Sequence, residues 1–137
     1  LVVRKGNESI RSVADLAGKT TANSASSTYA ALAEEAGATV TYVNTLQETL
    51  MLVEQGRVDA TLNAQVSIVD YLTQHPDANI EIVEVLSGDP VAYPIRKGAD
   101  TERFVAAVND ILQAAREDGR LAEISIRYFG LDLTQPD

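Results

Sequence analysis

The chain has 137 residues, enough for one domain or for one lobe plus part of a second. Its 20 acidic side chains against 11 basic ones give a formal charge of −9, which repels phosphate backbones and anionic lipid and argues against nucleic-acid or membrane-surface roles. The absence of cysteine and the presence of one histidine exclude disulfides, thiolate metal sites, cysteine nucleophiles and multi-histidine metal sites.

No apolar run reaches the roughly 18–20 residues that crossing a bilayer requires. The chain starts inside the apolar run Leu1-Val2-Val3, with no polar lead-in, and so reads as the interior of a longer one. Residues 1–4 are expected to form a strand. Ser12-Val-Ala-Asp15 has capping-box spacing and opens a short helix that Gly18 stops. Residues 19–23 read as a second strand. A helix is expected from about 27 to 36, burying Ala30, Ala31, Leu32 and Ala33 and ending at Gly37. Residues 39–43 alternate as a strand does, with Val40 and either Tyr42 or Val43 available to a core.

Thr45-Leu-Gln-Glu48 is a second capping box. Its helix presents Leu46, Leu50 and Val53 on one face and stops at Gly56. Residues 57–63 read as a strand with Val58, Ala60 and Leu62 on one side. Residues 64–74 read as a helix with Ile68, Tyr71 and Leu72 inward, closed by His75-Pro76. Two further strands are expected at 80–85 and 91–96. This alternation with short connections predicts an α/β fold whose mainly parallel sheet is covered by helices. The last forty residues differ. Asp100 is a good N-cap, and Phe104, Val108, Ile111, Leu112 and Ala115 form an apolar stripe that runs to Gly119. A shorter helix with Leu121, Ile124 and Tyr128 ends at Phe129-Gly130. Together these helices make an αα unit whose apolar face needs a partner surface.

Asn23-Ser-Ala-Ser-Ser-Thr28 lies between a strand and a helix, at the carboxyl edge of the predicted sheet, where ligands usually bind. A helix N-terminus offers unpaired N–H groups and partial positive charge, and the hydroxyls add donors. With no Lys or Arg in the loop, one carboxylate fits better than a polyphosphate. The plainer alternative is a serine-rich cap with no ligand. Asn63 and Gln65 bring polar groups to the same edge from the next strand–helix junction, while Asp59 within the strand reads as structural. His75 is expected to interact with the carbonyls at its helix end, and no Ser/His/Asp set is suggested. Glu34, Glu35, Glu81 and Glu84 read as solvated faces. No metal site, phosphate loop, catalytic carboxylate pair or cofactor motif is evident, so binding without catalysis is expected.

Several segments in order resemble the periplasmic type II solute-binding proteins of polar amino-acid ABC importers. They are LVVRKGNESIRSVADLAGK, NSASSTYAALAEEAGA, QGRVDATLNAQVSIVDYL, VAYPIRKGAD and VAAVNDILQAAREDGRLAEISIRYFGLDLT. The tail is particularly similar to the cystine-type members. The resemblance implies two lobes joined by crossovers that close on a ligand. Residues 1–90 would be the second lobe, and residues 91–137 the return crossover strand and the C-terminal helices of the first. The rest of the first lobe would lie outside this chain and supply an arginine and aromatic walls.

The resemblance places the family's carboxylate-holding loop on Ser24 to Thr28, with Ser27 at the usual Thr position and Ser27 and Thr28 donating backbone N–H groups. The α-amino anchor, usually Asp, falls on Ala64, with Asn63 or Gln65 as neutral substitutes. The implied partners are a polar amino acid (cystine among the candidates), a membrane permease, and either the missing lobe or a second copy. The implied location is extracytoplasmic. Two rivals share the fold: a cyclohexadienyl dehydratase-like enzyme, which would need an acid absent from both loops, and an effector-sensing domain.

Overall fold

The computed structural model describes residues 1–25, 27–87 and 92–134, which fall into two compact units, Leu1–Leu86 and Ser87–Asp137. The first unit runs β1 (Val2–Arg4), a 3-10 turn (Val13–Leu16), β2 (Thr20–Ser24), α1 (Thr28–Glu35), β3 (Thr39–Val43), α2 (Leu46–Glu54), β4 (Ala60–Thr61), α3 (Gln65–Gln74) and β5 (Ile80–Ile82). The strands form one sheet in the order β3-β2-β4-β1-β5. β2 is parallel to both β3 and β4, while β1 is antiparallel to β4 and to β5. The predicted α/β fold with a mainly parallel sheet is therefore present, with β1 as its one reversed strand.

Side chains that alternate across the strands supply a core on each face. Val2, Ala22 and Ile80 pack with Leu50 and Val53 of α2 and Ile68 of α3. Val3, Ala60 and Leu62 pack on the other side with Leu16 of the 3-10 turn and Ala33 of α1. The Thr45 capping box forms as expected: Thr45 Oγ1 accepts from Glu48 N–H at 3.2 Å, and the Glu48 carboxylate accepts from the N–H groups of Asn44 and Thr45. At the first box the Asp15 carboxylate accepts from the N–H groups of Arg11 and Ser12, both at 2.9 Å, but the helix stops after one 3-10 turn. Gly37 has φ +86°, a conformation that favours glycine, and a Cβ there would press on Ala17 Cα at 3.3 Å.

Several details depart from the sequence reading. The strand expected at 57–63 is only Ala60–Thr61, and that expected at 80–85 is Ile80–Ile82. Ala31 is exposed because it lies on the outer face of α1. Tyr42 is also exposed, donating its hydroxyl to the Glu34 carboxylate, and Val40 is the residue that packs inward. Glu81 and Glu84 are half-buried rather than solvated, and accept from Gly6 N–H at 3.2 Å and Val13 N–H at 2.7 Å.

The second unit contains α4 (Ala99–Glu117) and α5 (Arg120–Phe129), joined through Gly119 at φ 81°. The helix α4 starts earlier than expected, so Gly98 and not Asp100 occupies its N-cap, and Asp100 lies in the first turn, where its carboxylate accepts from the Arg96 guanidinium at 2.6 Å. Ser125 Oγ donates to Leu131 O at 2.7 Å and accepts from Leu133 N–H at 2.9 Å, folding the following segment back on α5. The strand expected at 91–96 is not found over 92–96: a strand needs ladder partners, and the described residues of this unit include no other strand. Residue 91 and the boundary expected at residue 90 lie outside the described residues. Among the described residues no helix is long and apolar enough to cross a membrane.

Candidate functional site

Because β2, β3 and β4 are parallel, their carboxyl ends share one edge of the sheet. Each strand is followed by a short loop and a helix N-terminus, those of α1, α2 and α3. This is the edge at which open α/β sheets present ligand sites.

The loop after β2 is organised by Ser27. Its backbone is extended (φ −87°, ψ 143°), and its N–H donates to Ser24 O at 3.1 Å. Ser27 Oγ accepts from Ala30 N–H at 3.1 Å, which caps α1 and leaves the hydroxyl proton to donate outward. Thr28 is exposed on the first turn, and Ser24 is half-buried at the strand end. The loop's Ser26 is outside the described residues.

The loop after β4 is built differently. Ala64 is the N-cap of α3 and has no side chain to cap with. Asn63 Oδ1 accepts from Ala64 N–H at 2.8 Å, which commits the oxygen of that amide and leaves its NH2 group as the donor side. Gln65 is half-buried at the first position of α3. Sheet register thus brings Ser24, Ser27 and Thr28 to the same edge as Asn63 and Gln65.

The charge pattern at this edge is selective. Neither α1 nor α3 carries an acidic residue in its first turn, although α2 has Glu48, α4 has Asp100 and Glu102, and α5 has Glu123. In a chain of charge −9, two neighbouring helix N-termini therefore keep their positive ends unneutralised. That arrangement suits an anion.

One contact escaped the sequence reading, although its residue opens the serine-rich loop named there. Asn23, near the end of β2, is 1% exposed, and its Nδ2 donates to Leu62 O at 2.7 Å, directly joining the two loops. From the opposite side, Thr61 Oγ1 donates to Ala22 O at 2.7 Å. An amide inside an otherwise buried strand was the available signal.

Asp59 is at the other end of the sheet. Its Oδ2 accepts from both Thr20 N–H and Thr20 Oγ1 at 2.7 Å, and these bonds hold its carboxyl below the usual range. Its role is structural, as expected. His75 ends α3, away from the ligand edge: its backbone N–H donates to the helix-end carbonyl of Tyr71 at 2.8 Å, and its ring lies 4.5 Å from that of Tyr71. Among the described residues no group of three or more His, Asp or Glu could hold a metal.

No family profile matches the chain. A probable amino-acid ABC transporter-binding protein of Haemophilus influenzae is 38% identical over 137 residues, covering 98% of this chain and 52% of that protein. The L-cystine-binding protein TcyA of Bacillus subtilis is 37% identical, covering 98% of this chain and 50% of that protein. Among solved structures, the L-cystine solute receptor of Neisseria gonorrhoeae, in its unliganded open conformation, matches with a TM-score of 0.78 and 34% identity, over 98% of this chain and 57% of that one. An ancestral arginine-binding protein bound to arginine matches with a TM-score of 0.74 and 33% identity, over 94% of this chain and 58% of that one. The chain spans about half the length of the relatives it matches. In sequence and in fold, this chain is a homologue of the amino-acid-binding proteins of ABC transporters.

Proposed function

We propose that the chain supplies one side of the amino-acid site of an ABC-transporter solute-binding protein. The observation that carries this reading is the pair of acid-free helix N-termini, α1 and α3, at one edge of the sheet. The loop already uses the Ser27 N–H on Ser24 O, so the ligand carboxylate is taken by the N–H group of Thr28 and by the hydroxyls of Ser24 and Ser27, not by the N–H of Ser27 as the resemblance implied. Asn63 and Gln65 face the rest of the ligand with neutral amides, and Ala64 contributes no charge to hold an ammonium group. The relatives named for L-cystine and the structure bound to arginine support an α-amino acid as the ligand class.

In this reading residues 1–90 form one lobe, residues 91–137 belong to the other, and the half of the relatives' length that this chain does not span completes the cleft. The exposed face of α4 and α5 is covered by that half or by a second copy of the chain. Closure follows from contacts that both lobes make only when a ligand is between them. The closed form is presented to a membrane permease from the extracytoplasmic side. No chemistry is assigned, since neither loop carries a carboxylate or histidine to act as acid or base.

Calorimetric titration of the full-length gene product with the twenty amino acids and cystine tests the reading. Binding of at least one is expected. Ser27→Asp keeps a good capping residue and adds a fixed negative charge, so it should retain the unfolding midpoint and lose the ligand. A variant that binds as tightly as the parent would discard the carboxylate placement. No heat with any of the compounds would discard the amino-acid reading.

A further inference from the structure

Backbone pairing between β2 and β4 is brief. The register holds at Thr21 opposite Ala60, and β4 ends at Thr61. From there to the ligand edge, two side chains continue the connection. Asn23 Nδ2 reaches from β2 to Leu62 O, and Thr61 Oγ1 reaches from β4 to Ala22 O, each bond 2.7 Å long and buried. Asn23 Oδ1 has no hydrogen-bond partner among the described residues, so the donor side of the amide is what the fold uses. A buried amide left half-satisfied is costly, and such groups in native structures call for an explanation beyond packing.

We infer that Asn23 and Thr61 are positioning residues that set the spacing between the Ser24–Thr28 loop and the Asn63–Gln65 loop. Neither touches the ligand. Each donates across the gap to a main-chain carbonyl at the root of the other loop, so the two donor sets at the edge move as one. This inference rests on the binding function proposed above and specifies what holds that site in shape.

The test uses the full-length gene product with L-cystine and L-arginine as probes, measured by calorimetry, alongside thermal unfolding without ligand. Asn23→Asp removes the donor at neutral pH. Affinity for the bound probe should fall about tenfold or more relative to the parent, the effect of losing one bridging hydrogen bond. As the pH is lowered toward 5 the buried carboxyl takes up a proton and can donate again, so the ratio of parent to variant affinity should shrink. Thr61→Val removes the reciprocal bond without burying a charge, and should also weaken binding. It carries the test alone if Asn23→Asp does not fold.

Variants that unfold earlier yet bind the probe as tightly as the parent would reduce both residues to structural roles and overturn the inference. A parent that binds neither probe nor any other amino acid would instead remove the binding function, and the inference with it.

Discussion

Ser27 uses one oxygen for two tasks. The lone pair that caps Ala30 N–H stabilises α1, and the proton on the same atom is available to a ligand. Ser27→Ala should therefore cost about 1 kcal/mol of stability, read from denaturant unfolding, and weaken ligand binding as well. Asp59 gives a pH prediction. Its bonds to Thr20 hold its carboxyl below the ordinary range, so its contribution is present above about pH 4 and disappears as the pH falls through the lowered native value. Asp59→Asn should lower stability at pH 7 by about 1 kcal/mol, given how exposed the group is, with the gap to the parent closing in acid. The position of Ser24, Ser27, Thr28, Asn63 and Gln65 at one sheet edge was legible because strand–loop–helix junctions announce themselves locally. The bridge that Asn23 makes was not, because its partner is a main-chain carbonyl 39 residues away and no local pattern names it.

At the scale of the elements, short-range rules succeeded where the chain supplied its own partners. The Thr45 box formed because both of its halves are three residues apart. The strand predicted over 57–63 shrank to Ala60–Thr61: the N–H groups of Arg57 and Val58 turn back to Leu52 O at the end of α2, and beyond Thr61 the carbonyl of Leu62 accepts from the Asn23 side chain. The strand predicted over 91–96 had the right composition over its described part, but composition cannot supply a neighbour to pair with. α2 offers the clearest packing test. Leu50 is fully buried against Val2, Val53 and Ile68, so Leu50→Ala should cost about 3 kcal/mol through lost burial and the remaining cavity, measured by urea unfolding.

For the whole molecule, α4 and α5 leave Phe104 at 59%, Ile111 at 64%, Ile124 at 53% and Tyr128 at 69% exposure. Apolar stripes of this extent are unusual on the surface of a monomer. Produced on its own, the chain should show a mass that rises with concentration in light scattering, and Phe104→Ser combined with Ile111→Ser should shift it toward monomer. A single monomeric mass at every concentration would count against an unpartnered face. The reversed strand β1 carries a different consequence, for the order of events during synthesis. Val2 pairs with Thr61 and with Ile82, whereas β2 and β3 pair across one short helix, Thr20 opposite Thr39. Contacts distant in sequence form slowly because the intervening chain must first be gathered. On the ribosome β1 therefore waits, unpaired, until β4 and β5 have emerged, while β2, α1 and β3 can already associate. In pulse-labelled refolding, the amides of β1 should gain protection together with those of β5 and after those of β3, so that β1, though made before either of its neighbours, is locked in place only with the last of them.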